Sequence, residues 1–570
     1  MLGFGGSDHD FSAALARGTD IKVAIERERL MGVKYGSPHW FEEPFEVCAD
    51  YCLDAAGITR EQVDRIVTHD LLPNRSKRAW PMTTFGHHIC HAASAVMLLD
   101  EAASACVLVY DGCGSVLPLD QDGGLPRARH EAFSFFHFAD ERLEWLGTTY
   151  GERFIDVVEA GDGGTNSMGD LYSLVTEALG FDRLEAGKTM GLAAWGSPRF
   201  VDEFLDHVQF GADVSSAFRC DPFDAQFQER LFGHLRDEAH SFAVRADLAA
   251  SMQEILNMGL LHCYELIANR EFDVFCIAGG CGLNTVANGV LAAHLPEGRA
   301  LVVPPYAGDS GLGLGALWLD LRERLPGSFR MTLRGGALMP AIARPGRTYD
   351  ASEGLRAASA KIADLAENPA IDRPEALARV LAEGAAIGVF NGASEIGPRA
   401  LGGRSVLADP RNPAMRERIN RHIKQREPFR PLAPMVLEEH FDRYFAPSAA
   451  ADPFMLVVAK ANDRCVREAP AIVHVDGTAR VQVVGAGGDP FLVRLLREFH
   501  LLTGVPILLN TSFNRRGKPI VESPQDAVEA FLAMGLDGLY LDGRFLYRPA
   551  TGEPRGCGAL QALRRLGVAD

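Results

Sequence analysis

One local pattern recurs three times along this chain, and it limits the folds open to it. An apolar run ends in a glycine-rich turn. Residues 105–110 (ACVLVY) run into Asp111-Gly-Cys-Gly-Ser115, and residues 273–278 (DVFCIA) into Gly279-Gly-Cys-Gly-Leu-Asn284. The third turn, Gly308-Asp-Ser-Gly-Leu-Gly-Leu-Gly315, opens the helical segment ALWLDLRERL. Apolar runs of this length suit strands buried on both faces of a sheet. Strand, glycine turn and helix in succession describe an α/β fold. The same geometry lets a phosphate approach backbone N–H groups at a helix N-terminus. Three such turns favour a nucleotide or phosphate site over ordinary tight turns.

The first 320 or so residues alternate strands and helices, with a further short strand at 64–68 (DRIVT). A faint internal echo runs through them. Ser7-Asp-His-Asp10 precedes the strand-like FSAALARG, and Asp111-Gly-Cys-Gly-Ser115 precedes the strand-like VLPL, as a duplicated β-rich subdomain would. Residues 325–375, with Pro340, Pro345, Pro369 and Pro374, read as a connection between domains. Strands and helices resume at AAIGVFNG from Ala385. Clear signals follow at 505–510 (VPILLN) and in the hairpin LYLDGRFLY, turning at Asp542-Gly543. The last 20 residues read as a loop and a short helix.

At roughly 150 residues per domain, 570 residues allow two to four domains or subdomains. The formal net charge of -18 argues against bulk affinity for nucleic acid or an anionic membrane. No run approaches the ~18 apolar residues of a membrane span. The start lacks the basic and apolar regions of a secretory signal. The 11 cysteines contain no CxxC pair, which fits reduced thiols in the cytoplasm.

Three constellations could carry chemistry. His87 and His91 are four residues apart; on a helix capped by Thr84 or Gly86 both imidazoles share one face, about 6 Å apart at Cβ. That spacing suits two ligands of one divalent metal, and a hydrogen-bonded histidine pair equally. Asp111 and Asp309, each at a glycine turn, are the candidate carboxylate ligands. The second is a basic stretch in an acidic chain. Arg399, Arg404, Arg411, Arg416, Arg418, Arg421, Lys424, Arg426 and Arg430 face three acidic residues, a local balance of +6. Arginine holds phosphate in bidentate fashion and lysine supplies a point charge. Arg411, Arg416, Arg418 and Arg421 are expected in solvent on the helix AMRERINRHIKQR, and the others near an anion. The third is Asn510-Thr-Ser-Phe-Asn514 after an apolar strand, where open α/β sheets place ligands and where Asx turns also occur.

With these residues in view, the sequence resembles the O-carbamoyltransferases of the NodU/CmcH type. The motifs run in order: HDFSAAL at His9, ERERLMGVKYG to Gly36, GHHICHAASA, VYDGCGS, GDLYSLVTEALGF with EAGKTMGLAAWG, GGCGLN and GDSGLGLGA. In the second half they are SEIGPRALGGRSVLADP, REPFRPLAP, HVDGTARVQVV and LLNTSFNRRGKPIVESPQDA. Together they cover about residues 5 to 545. Only a few residues precede His9, which leaves a short opening strand.

The resemblance implies an α/β protein of two domains. Residues 1–345 would form an actin/sugar-kinase-like (ASKHA) domain related to threonylcarbamoyl transferases, with a duplicated core. Residues 346–570 would form a YrdC-like α/β domain. It implies that carbamoyl phosphate and ATP, with Mg2+, give carbamoyl-adenylate in the second domain. The first domain would then transfer the carbamoyl group to the hydroxyl of a small-molecule, natural-product acceptor, antibiotics included. Implied roles are a general base for His9, and ligation of Fe2+ or a similar divalent metal for His87, His91, Asp111 and Asp309. Gly279, Gly280 and Asn284 would hold the adenosine part. Arg399, Lys424, Arg430, Arg480, Asn510 and Ser512 would hold carbamoyl phosphate and the ATP phosphates, with Lys34 and Lys188 as further anion contacts. No nucleic-acid or membrane partner is expected; a homodimer is admitted. The main alternative is an RNA-modifying factor of the tRNA-threonylcarbamoylating type, which the net charge disfavours.

Overall fold

Leu2–Gly5 (β1), buried throughout, is short but pairs on both sides. It lies antiparallel to Ser12–Arg17 (β2) and parallel to Ile66–His69 (β4); Asp20–Glu26 (β3) and Thr83–Phe85 (β5) flank these. The computed structural model describes residues 1–7, 9–36, 45–72, 80–100, 103–118, 127–154, 165–235, 242–325, 327–334, 341–350, 352, 365–446 and 451–549. The C-terminal loop and helix expected after 550, and part of the connection expected at 325–375, lie outside these.

A second sheet follows in the chain. Its strands are Ala105–Tyr110 (β6), Val116–Pro118 (β7), Arg127–Ala139 (β8) and Arg142–Phe154 (β9). After a small hairpin of Gln209–Phe210 (β10) and Phe218–Arg219 (β11), Val274–Ala278 (β12) and Ala300–Val302 (β13) complete it. Thr332–Leu333 (β14) returns to pair with β3 through Asp20 and Ile21. The two sheets share one plan. In the first, β1 is antiparallel to β2 and parallel to β4, with β3 and β5 outside. In the second, β6 is antiparallel to β8 and parallel to β12, with β9 and β13 outside. The turns after β1 and β6 are counterparts, as the sequence echo had them, but the counterpart of β2 is β8 and not the VLPL strand β7; the repeat is the actin/sugar-kinase arrangement.

Helix His87–Val96 packs on β6 and β12, helix Leu312–Arg324 on β1 and β4, and the two helices on each other. Glycines make that approach possible. A Cβ on Gly313 would lie 2.9 Å from the Gly3 carbonyl oxygen, and one on Gly315 only 1.9 Å from that of Cys90. The third glycine turn therefore differs from its sequence reading: Gly313 and Gly315 sit inside the helix and serve packing.

The chain forms two units: Met1–Lys22 with Ser37–Gly336, and Val23–Gly36 with Ala337–Asp570. One division falls near residue 336, and Val23–Gly36 groups with the later residues in the second unit. That unit contains Ala366–Glu367 (β15), Ile387–Phe390 (β16), Arg404–Ala408 (β17), Ala433–Leu437 (β18), Val458–Lys460 (β19), Thr478–Arg480 (β20), Gln482–Val484 (β21), Ile507–Ser512 (β22), Gly538–Leu541 (β23) and Arg544–Tyr547 (β24). Eight of them form a mixed sheet in the order β15-β24-β23-β16-β17-β22-β18-β21. The β23–β24 turn uses positive φ at Asp542 and Gly543, as a tight hairpin requires. Helices Pro374–Ala382 and Pro490–Thr503 bury leucines in one core. Helix Pro524–Met534 and the basic helix bury Ala527, Phe531, Ile419 and Ile423 in another.

The basic helix departs from expectation. Ala414–Glu417 is α-helical and Arg418–Ile423 is a π-helix. Arg411 and Arg421 are exposed, but Arg416 donates to the Pro470 and Ala471 carbonyls and Arg418 pairs with Asp537 at 2.7 Å. Neither stands in open solvent, because each ties the helix to a neighbouring segment.

Candidate metal centre and anion site

Gly86 caps helix His87–Val96, as anticipated, and His87 and His91 share one face of it. Asp111 follows β6 and Asp309 opens the turn into helix Leu312–Arg324. The fold brings their ligand atoms together: one donor atom from each of His87, His91, Asp111 and Asp309 lies within 4.8 Å of the others. His91 Nε2 is 3.1 Å from Asp111 Oδ2 and 3.5 Å from Asp309 Oδ1. His87 Nε2 is 3.6 Å from each of the same oxygens.

Each carboxylate turns one oxygen to the cluster and fixes the other. Asp111 Oδ1 accepts the N–H groups of Gly112 at 2.8 Å and Gly280 at 3.1 Å. Asp309 Oδ2 accepts the Ser7 hydroxyl at 2.6 Å. A relay orients His87. His69 Nε2 donates to the Gly6 carbonyl at 2.9 Å, so the neutral ring must accept at Nδ1, where His87 Nδ1 donates at 3.2 Å. That assigns the His87 lone pair to Nε2, facing the cluster. Burial, then the neighbouring His87, hold His69 well below the usual histidine range, consistent with a neutral ring. Burial opposes charge on His91 too, but hydrogen bonds to Asp111 and Asp309 outweigh it and raise His91 to about 9. Burial likewise opposes ionisation of Asp111, yet the two histidines hold its carboxyl well below the ordinary range. Two imidazole nitrogens and two carboxylate oxygens in one oriented, buried cluster fit a divalent transition metal; N/O donors alone do not choose among Fe, Mn and Zn.

His9 lies in the loop between β1 and β2, with Nδ1 3.1 Å from Asp10 Oδ2 and close enough for its charge to act on Asp309. Asp10 holds the left-handed conformation, φ 53°, which non-glycine residues adopt at a cost. Gly279, φ 90°, brings its backbone against Tyr110. Gly280 spends its N–H on Asp111 as above. Asn284 is engaged structurally: its Oδ1 caps helix Thr285–His294 through the Ala287 N–H, and its amide pairs reciprocally with Gln253. Lys188 pairs with Glu185 at 2.5 Å.

In the second unit, Arg399, Arg426, Arg430, Arg480 and Lys424 converge. Burial, then repulsion from Arg430, depress Arg399 to about 10 and Arg426 to about 9. Burial, then Arg426, Arg430 and Lys34, push Lys424 well below the lysine range; burial and the neighbouring arginines do the same to Arg480. Guanidinium keeps its proton in proteins, so the same cost acts as a pull on an anion. Two carboxylates lie near: Glu427, which acts on Arg426, and Asp452, raised to about 6 by burial while it accepts the N–H groups of Phe454, Leu456 and Val457. Lys424 sits beside the left-handed Gln425 and donates to the Ser512 and Asn514 carbonyls at 2.7 and 2.8 Å. Arg404 plays another part than sequence assigned, and Asn510 has protein partners through its amide nitrogen. Arg404 is fully buried and donates to the Gly392 and Gly403 carbonyls rather than facing the cluster. Asn510 is fully buried as well and holds the Ala400 carbonyl and Gln482 through Nδ2. Ser512 Oγ bonds Asn514 Oδ1 at 2.6 Å, beside Lys424.

Sequence reasoning gave no role to His69, Ser7, Arg29, Glu395 and Gln482. His69 ends an apolar strand, and a polar residue there is a signal open α/β sheets offer. Arg29, Glu395 and Gln482 lie within the motifs quoted above, but spacing alone does not say what they touch.

The family description "Carbamoyltransferase N-terminus" matches residues 70–317, and "Carbamoyltransferase C-terminus" matches residues 378–548. Nodulation protein NolNO of Sinorhizobium fredii is 30% identical over 597 residues, covering 96% of this chain and 80% of its own. The chain belongs to the carbamoyltransferase family. Nodulation protein NolO of Bradyrhizobium diazoefficiens is 34% identical over 416 residues, covering 70% of this carbamoyltransferase and 72% of itself. Among solved structures, full-length HypF in its phosphate- and nucleotide-bound form aligns with 57% of this chain and 55% of its own, at 12% identity and a TM-score of 0.36. No described helix of the carbamoyltransferase is long and apolar enough to cross a membrane.

Proposed function

We propose that this carbamoyltransferase makes carbamoyl-adenylate from carbamoyl phosphate and ATP in its second unit, and carbamoylates a small-molecule hydroxyl at the histidine–aspartate centre of its first. The observation that carries the adenylation step is the convergence of half-buried Arg399, Arg426, Arg430 and Arg480 with buried Lys424, beside Asp452. Bringing carbamoyl phosphate and a triphosphate together crowds anionic oxygens, and only fixed cations offset that repulsion. Carbamoyl phosphate with water gives carbamate and phosphate. A carbamate oxygen attacks the α-phosphorus of ATP, the bond to pyrophosphate breaks, and carbamoyl-adenylate forms. Mg2+ enters with ATP, held mainly by phosphates and water.

In the transfer step, His9 takes the proton of the acceptor hydroxyl as its oxygen attacks the carbamoyl carbon, and AMP leaves. His87, His91, Asp111 and Asp309 would hold a divalent metal, Fe2+ among the candidates, which supplies polarisation of the carbonyl and a counter-charge for departing AMP. His69 and Ser7 keep those ligands facing inward. Backbone N–H groups of Gly112 and Gly280 do the same for Asp111.

Carbamoyl-phosphate-dependent exchange of labelled pyrophosphate into ATP tests the reading. Lys424→Met and Arg430→Met lose exchange, whereas His91→Ala retains exchange and loses transfer to alcohols. Exchange that survives both cation substitutions would place adenylation elsewhere. Transfer of label to tRNA and to no small alcohol would replace the acceptor class.

A further inference from the structure

The segment Glu26-Arg27-Glu28-Arg29 is a sequence motif to which neither step gives a role. It belongs to the excursion Val23–Gly36, which packs in the second unit. Arg27–Met31 is a short helix, and Arg29 is buried at its centre. Its guanidinium forks: Nε donates to Glu26 Oε2 at 2.9 Å and a terminal nitrogen to the Gly397 carbonyl at 2.9 Å. Gly397 lies two residues before Arg399 and bends at φ 92°.

The rest of that loop is held just as closely. Glu395, itself buried, accepts on one oxygen the N–H groups of Leu401 at 2.8 Å, Gly403 at 2.7 Å and Arg404 at 3.1 Å. Asn510 holds the Ala400 carbonyl at 3.1 Å, Gln482 the Leu401 carbonyl at 3.0 Å, and Arg344 the Ala393 carbonyl at 3.0 Å. Carbonyls before and after Arg399 are thus each gripped by a side chain from another part of the unit. Burial opposes the charge on Glu395, yet Arg344, Arg29 and Arg404 keep its carboxyl below the ordinary range. Buried charges of this kind are expensive to retain for stability alone, since well-packed apolar groups serve as well. A site that must hold one guanidinium at a fixed place gains from them.

We infer that Arg29, anchored by Glu26 and opposed by Glu395, is a positioning residue that fixes the backbone around Arg399 for binding the phosphate of carbamoyl phosphate. The inference rests on the proposed role of Arg399 in that site. Lysine keeps the charge of Arg29 but lacks the planar fork, so it cannot hold Glu26 and the Gly397 carbonyl together.

The test uses the full-length enzyme with Arg29→Lys and, separately, Glu395→Gln. Pyrophosphate exchange is followed against carbamoyl phosphate concentration, and stabilisation by inorganic phosphate is followed by thermal melting. The expected result is a rise of about 10- to 100-fold in KM for carbamoyl phosphate with a smaller change in kcat, and a matching loss of phosphate affinity in the melts. A purely structural role would lower the melting temperature and leave KM and phosphate affinity of the folded fraction within about twofold of wild type, short of the loss expected of a positioning contact. That outcome in both variants overturns the inference. Absence of exchange in the wild type would instead refute adenylation, and phosphate binding in the melts would still decide the role of Arg29.

Discussion

Replacing Asp111 by asparagine exchanges one carboxylate oxygen for an amide nitrogen and leaves the shape of the side chain unchanged. The structure says which atom goes where. Oδ1 accepts two backbone N–H groups, from Gly112 at 2.8 Å and Gly280 at 3.1 Å. An amide nitrogen cannot accept them, so the amide oxygen stays there and the NH2 group turns toward His91 and His87, where Oδ2 stood at 3.1 and 3.6 Å from their Nε2 atoms. The ligand face loses its lone pair and its charge. Flipping the amide to present oxygen to a metal would leave both N–H groups without an acceptor, about 1 kcal/mol each. The sum, about 2 kcal/mol, corresponds to a loss of roughly 30-fold in affinity before the missing charge is counted. Chelator-competition titrations, with metal content read by elemental analysis, measure this directly. Metal-free Asp111→Asn keeps the two backbone bonds but loses the His91–Asp111 pair at 3.1 Å, so it should melt below the metal-free wild type, and affinity is read on the folded fraction. A variant that binds metal as tightly as wild type would refute the assignment of Asp111 as a ligand.

Further outcomes follow from the same geometry. His69→Ala removes the acceptor that fixes the His87 tautomer and should weaken metal binding by about 10- to 100-fold, again read by chelator competition. Lys424 has a depressed pKa while an anion favours its protonated form, so phosphate binding should take up a proton; calorimetry in buffers of different ionisation enthalpy reads the uptake. By the same sign, KM for carbamoyl phosphate should climb as pH rises from the depressed Lys424 pKa of the free enzyme toward its higher value in the anion complex, and a profile flat over that range would contradict it. Gly315→Ala places a Cβ 1.9 Å from the Cys90 carbonyl oxygen and should cost about 1–3 kcal/mol, seen as a lower midpoint in denaturant titration.

Much of the framework was legible from local chemistry. The apolar runs at 105–110, 274–278, 387–390 and 507–510 are strands because continuous hydrophobicity over that length marks a doubly buried strand. The Asp542-Gly543 hairpin turns where two residues tolerate positive φ. The misreadings share a cause. Gly313 and Gly315 were indistinguishable from a phosphate turn, because whether a missing Cβ admits a ligand or a neighbouring helix depends on what approaches it. Arg404, Arg416 and Arg418 read as anion-binding or solvated charge, but their acceptors are carbonyls and a carboxylate far along the chain.

The sequence by itself determined the α/β class, the helix that sets His87 beside His91, and a basic stretch at odds with an acidic chain. These depend on spacing along the backbone, which period and composition encode. Only the tertiary structure decided that Asp111 and Asp309 close on that histidine pair, that His69 fixes a ring nitrogen, and that Arg29, deep in the first part of the chain, grips the loop of Arg399. Those contacts join residues from 18 to 368 positions apart. No local rule reports them, since a buried polar group finds its partner through the packing of the whole core around it.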